Sequence, residues 1–118
     1  MAIIRAYTTI EQSRKLAEIL PLESADMYYD DIIDSVTGEL FIPDDGSTIK
    51  IGKGLGGSIA AWSLAALLDV LPLPDLVQDK ADNELFWWCS VMLYETYDNN
   101  PIDACVKMIL KLHELNLL

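Results

Sequence analysis

Asn99-Asn100-Pro101-Ile102-Asp103-Ala104-Cys105-Val106-Lys107-Met108-Ile109-Leu110-Lys111-Leu112-His113-Glu114-Leu115-Asn116-Leu117-Leu118 is the stretch whose periodicity decides how the rest must be arranged. It reads as a helix from Pro101 to Asn116. Asn100 is placed to cap it, and Pro101 falls at the first helical position, where a missing N–H costs nothing. Asp103 lies near the positive end of the helix dipole and pairs in i,i+4 spacing with Lys107. At 100° per residue, Asp103, Lys107, Lys111 and Glu114 form one narrow polar strip. Ile102, Cys105, Val106, Met108, Ile109, Leu110, Leu112 and Leu115 cover most of the remaining circumference. A face that wide needs cover on more than one side. The helix is therefore expected to lie across a sheet with a second helix beside it, or against another copy of the chain.

Outward from this helix, Leu85 to Tyr97 is the strongest strand signal. Leu85, Trp87, Cys89, Val91 and Leu93 alternate with Phe86, Trp88, Ser90, Met92 and Tyr94, apolar on both faces for most of its length. Thirteen residues is long for one strand, so a bulge or tight turn is expected near Ser90 to Met92. The preceding polar stretch, Gln78 to Asn83, reads as loop. Before it, Ser63 to Leu71 reads as a short helix with Leu64, Leu67, Leu68 and Leu71 on one stripe, Ser63 as its cap and Pro72 as its stop. Thr9 to Leu20 reads as the first helix, opened by a capping box, Thr8-x-x-Glu11 or Thr9-x-x-Gln12, and stopped by Pro21.

Between the first two helices, Glu23 to Asp45 carries eight acids and no base. Met27-Tyr28-Tyr29 and Ile32-Ile33 fit a strand with Leu40-Phe41-Ile42 as partner across a turn near Thr37-Gly38, while Asp26, Asp30 and Asp34 also fall at helical spacing; an irregular hairpin or turn-rich segment is expected. Asp44-Asp45-Gly46 is a turn, and Ser47 to Ile51 a short strand. The fold class expected is α+β, in one domain spanning residues 1–118, with three helices on a small, mainly antiparallel sheet.

Three blocks carry a resemblance: Ser24-Ala25-Asp26-Met27-Tyr28-Tyr29, Trp62-Ser63-Leu64-Ala65-Ala66-Leu67-Leu68-Asp69-Val70-Leu71-Pro72, and Tyr94-Glu95-Thr96-Tyr97 with Asn100-Pro101-Ile102-Asp103-Ala104-Cys105. In this the chain resembles a set of small uncharacterised proteins encoded by gut Bacteroides species and by phages and mobile elements of those hosts. The resemblance implies a bacterial or phage cytoplasmic origin and an α+β domain, and it transfers no catalytic residues. Gly52 to Gly57 lies outside the shared pattern.

Charge narrows the function. Nineteen acidic side chains against eight basic ones leave a formal net charge of -11, which opposes direct binding to nucleic acid or to anionic lipid. The most apolar stretch, Leu55 to Leu68, is short of a membrane span. Cys89 and Cys105 lie in apolar surroundings and read as buried thiols, in keeping with a cytoplasmic location.

Catalytic signatures are sparse. Gly52-Lys53-Gly54-Leu55-Gly56-Gly57 satisfies G-x-G-x-x-G, but no helix starts at its last glycine and the surroundings are anionic, so a plain loop is expected. His113 is the single histidine, and no ordinary zinc site can be assembled from it and two distant cysteines. No catalytic residue, metal ligand or cofactor is assigned. The candidate interaction surface comprises the carboxylates Asp26, Asp30, Asp31, Asp34, Asp44 and Asp45, together with Tyr29 and Trp88 as exposed members of their aromatic pairs. The function expected is that of an accessory protein that binds another protein through an acidic face, with nucleic-acid mimicry as a special form. A small ligand-binding domain or enzyme using the Gly52 to Gly57 loop, and a self-assembling subunit such as a homodimer, are the alternatives.

Overall fold

The computed structural model describes residues 5–54 and 57–118. The class is α+β: three helices and three small antiparallel sheets, where a single sheet is expected from sequence. The chain divides into two compact units, Tyr7–Ser63 and Leu64–Leu118, the second joined by Arg5 and Ala6.

In the unit Tyr7–Ser63, helix α1 (Ile10–Ile19) begins with the expected capping box in its Thr9 form. Thr9 Oγ1 accepts from Gln12 N at 3.1 Å, and Gln12 Oε1 accepts from Thr9 N at 3.0 Å. Leu16 is fully buried, and Pro21 follows the helix to begin a 3-10 turn, Leu22–Ser24. The sheet is built around β1 (Met27–Tyr29), which pairs with β4 (Ile49–Ile51) on one side and β5 (Ile59–Ala61) on the other. A separate hairpin, β2 (Ile32–Ile33) with β3 (Leu40–Phe41), sets Ile32 opposite Phe41 and Ile33 opposite Leu40. Met27-Tyr28-Tyr29, expected from sequence to run on with Ile32-Ile33, is separated from it at Asp30 and Asp31, and the two segments belong to different sheets. Strand β5 is also new, hidden within an apolar run that carries no alternation.

α1 packs on β5, and the floor of this unit is Trp62, fully buried. Its indole N–H donates to Ser24 Oγ at 2.9 Å, and its backbone N–H to Thr8 Oγ1 at 3.1 Å. Thr8 N in turn donates to Trp62 O, and Thr8 Oγ1 lies 2.7 Å from the buried Ser13 hydroxyl. Buried polar groups are costly unless partnered, and here each of these finds one.

The other unit begins with α2 (Leu64–Val70) and continues into an antiparallel meander of β6 (Asp75–Ala81), β7 (Glu84–Val91) and β8 (Tyr94–Asp98). β6 corrects the expected loop over Gln78 to Asn83. Asp82 and Asn83, at φ 50° and 65°, form a two-residue connection with both central residues in the left-handed region, as a type I′ hairpin requires, and these are residue types that tolerate it. β7 and β8 divide the long apolar segment at Met92 and Leu93, close to the turn expected near Ser90 to Met92.

Helix α3 (Pro101–Glu114) lies against β7 and β8 with α2 also packed on it, the double cover its apolar circumference demands. Asn100 Oδ1 accepts from Ile102 N at 2.8 Å. At the far end Asn116, at φ 58°, directs Asn116 N to His113 O and Leu117 N to Leu112 O, a Schellman motif that satisfies the last carbonyls. Ile102, Ala104, Cys105, Met108, Ile109 and Leu112 are fully buried. Leu115, counted among the apolar set in sequence, is 44% exposed because the helix ends there. Thr96 Oγ1 donates to Ala104 O at 2.6 Å and Lys107 pairs with Asp98 at 2.7 Å, tying the helix to β8. Arg5 pairs with Asp103 in the same unit. Cys89 on β7 and Cys105 on α3 are free, buried and in contact. Hydrogen bonding to Cys89, and then burial, push the Cys105 thiol above its ordinary pKa.

Candidate functional site

Five of the eight residues singled out from sequence, Asp30, Asp31, Asp34, Asp44 and Asp45, fall in or beside the β2–β3 hairpin, which forms an acidic arm over residues 30–45. A two-stranded hairpin is marginal by itself in water, so its loop must be held by something other than burial. Asp34 does this. Its Oδ1 accepts from Val36 N at 2.7 Å and Thr37 N at 3.1 Å, while Gly38 N donates to Asp34 O at 2.8 Å. The backbone N–H groups of Thr37 and Val36 hold the Asp34 carboxyl below its ordinary value. Asp45 plays the same part in the following turn, its carboxyl lowered by the Ser47 hydroxyl and by Ser47 N at 2.9 Å. Asp30 is lowered first by Lys50, whose ammonium lies 3.2 Å from Oδ2.

Asp26 is differently placed, half-buried at the start of the three-stranded sheet. It accepts from Ser63 N at 2.9 Å and from the Ser63 hydroxyl, a structural role inside its unit. Asp31 is half-buried and Asp44 exposed, and neither enters an ion pair among the described residues. Tyr29 is corrected from surface to core. It is 3% exposed, its hydroxyl donates to Thr8 O at 2.6 Å, and its ring meets Tyr7 edge-on at 6.1 Å. On β1, strand alternation turns Tyr29 to the buried side and leaves Tyr28 on the other, half-exposed. Trp88 belongs to the other unit, on the sheet face turned away from α3, with its ring 5.0 Å from that of Tyr97.

The arm also carries exposed apolar side chains. Ile33, Val36 and Leu40 are 69%, 91% and 63% exposed, and Ile32 and Phe41 are above 40%. Both strands of the hairpin are two residues long and pair only with each other, so no further strand covers these side chains. Contiguous exposed apolar groups with a polar rim mark interaction surfaces in soluble proteins. The rim here is acidic throughout: Asp30, Asp31, Asp34, Glu39, Asp44 and Asp45, with no base between residues 31 and 45.

Because Asp34 is depressed in the folded protein, its contribution is complete above pH 3.8 and is lost as pH falls through the lower, folded value. The amide resonances of Val36 and Thr37 should therefore titrate with a midpoint below 3.8 as the Asp34 carboxylate is protonated. Asp34→Asn should remove that titration. A midpoint at or above 3.8 would contradict the loop geometry.

In the same unit a groove of about 710 Å³ is lined by Arg14, Glu18, Met27, Lys53, Ser58 and Ile59, among others. Lys53 Nζ is held by the carbonyls of Glu23 at 2.7 Å and Ala25 at 2.5 Å, and Glu18 is exposed. A buried carboxylate poised for chemistry is not among the described lining residues. Of the glycine motif, Leu55 and Gly56 lie outside the described residues. Among the described residues no group of three or more His, Cys, Asp or Glu side chains is close enough to hold a metal ion, and no helix is long and apolar enough to cross a membrane. Comparison with family models, with curated proteins and with solved structures returns no match.

Proposed function

We propose that this protein is a non-enzymatic accessory protein of a bacterial or phage cytoplasm that binds another protein through its acidic arm. The observation that carries this reading is the exposure of Ile33, Val36 and Leu40 on a hairpin whose charged residues are all acidic. The apolar side chains supply binding energy once water is excluded, and the surrounding carboxylates select a basic rim and speed encounter. A groove with an apolar floor and basic walls suits the arm better than a phosphate-binding cleft, which offers no partner to Val36 or Leu40. Two acidic arms repel one another, which disfavours pairing of identical copies through this surface.

The test is affinity capture from bacterial lysate at low salt, comparing the wild-type chain with a Val36→Ser, Leu40→Ser double variant. A partner retained at low salt, released near 0.5 M salt, where the screening length is only ~4 Å, and lost from the double variant is the expected result. Recovery of no protein, or of the same protein by both chains, would remove the proposal.

A further inference from the structure

The face of the β6–β7–β8 sheet turned away from α3 is a second, chemically distinct surface. Strand alternation assigns it. Cys89 and Val91 are buried beneath α3 and Thr96 bonds to that helix, so Phe86, Trp88 and Ser90 on β7 point the other way. The register then places Val77 and Tyr97 on either side of Trp88, Asp75 and Glu95 on either side of Ser90, and Asp79 opposite Phe86. The three rings touch: Trp88 to Tyr97 at 5.0 Å, and Phe86 to Tyr97 edge-on at 6.4 Å. Tyr97 and Val77 are 55% and 56% exposed. Asp75, Asp79, Glu84 and Glu95 surround the rings, all exposed and none in an ion pair among the described residues, and no Lys, Arg or His shares the face.

We infer that this aromatic, carboxylate-rimmed sheet face docks an extended arginine-bearing segment of another protein. Aromatic faces attract cations, and the planar guanidinium stacks on them while its edge donates to carboxylates. The rim argues against the other occupants. A second copy would bring like charges together, and nucleic acid would be repelled by all four acids. An uncharged sugar or proline-rich peptide would use the rings and leave the carboxylates uncompensated. The face is about 14 Å long over its four fully paired rows, Trp87 to Ser90 on β7, room for an extended segment of roughly four residues. The inference does not depend on the acidic arm, which lies in a different part of the sequence.

The probe is a synthetic peptide of alternating arginine and glycine, titrated at low salt into the isotope-labelled full chain. Chemical shifts should move at the Trp88 indole N–H and at the amides of Val77, Phe86 and Tyr97, and the affinity should fall with added salt. Trp88→Ala should weaken binding about tenfold or more, equivalent to about 1.4 kcal/mol. Glu95→Lys, an exposed change that leaves the rings in place, should weaken it several-fold, with folding of both variants checked by their melting curves. Shifts confined to residues 30–45 would assign the peptide to the arm and overturn the inference. Equal binding by Glu95→Lys, equal affinity for an uncharged oligosaccharide or a proline-rich peptide, or concentration-dependent self-association through Trp88 would overturn it as well.

Discussion

Trp62→Ala is expected to lower the free energy of unfolding by about 3–5 kcal/mol, the range for deleting a fully buried large aromatic side chain. The indole has no solvent exposure and lies in a unit whose strands are only two or three residues long. Its removal leaves a cavity that such short elements cannot close. It also strips Ser24 Oγ of the indole N–H. Trp62→Phe separates the two effects, because it keeps most of the volume and removes the hydrogen bond; it should cost no more than about half as much. Denaturant unfolding of the three chains measures this, and a loss below about 1 kcal/mol for Trp62→Ala would show that the residue is not the packing centre of its unit.

Leu112→Ala should cost about 2–5 kcal/mol, while Leu115→Ala, less than one turn further along the same chain segment, should cost less than about 1 kcal/mol. The pair is instructive because periodicity gives both leucines to the apolar circumference. Leu112 is fully buried on α3, whereas Leu115 is the residue at which the helix terminates and is 44% exposed. Against a domain stability of typically 5–15 kcal/mol, the first change consumes a third or more of the total in many cases and the second is barely measurable. Equal effects at the two positions would mean that the Schellman motif after Glu114 is not formed in solution.

These two sites also mark how far the sequence can be read. Local signals carried the termini of the helices. Thr9 with Gln12, Asn100 with Pro101, and Pro21 after the first helix each satisfy or remove a backbone group within a few residues, so their meaning does not wait for the rest of the fold. The hairpin joining Ile32-Ile33 to Leu40-Phe41 was legible for the same reason, since its turn is closed by Asp34 and Gly38. β6 was not. Asp75, Gln78, Asp79 and Lys80 are unremarkable for a loop, and only the Asp82-Asn83 pair hinted that the chain doubles back there. As an edge strand, β6 draws its stability from hydrogen bonds to β7 and not from burial of its own side chains.

The candidate surface divides in the same way. The sequence put six carboxylates near one another, and the fold then spends Asp26, Asp34 and Asp45 on hydrogen bonds to their own unit's polar groups and Asp30 on Lys50. It buried Tyr29 and left Trp88 on an outer sheet face, a choice between adjacent aromatics that alternation alone leaves symmetric. By itself the sequence determined the helices, the acid balance and the need to cover α3 on two sides, because capping, charge and periodicity are properties of neighbouring residues. Only the tertiary structure decided which ring faces water, which carboxylate is already engaged and that three sheets form instead of one, because each depends on what distant segments bring to the other side of a strand.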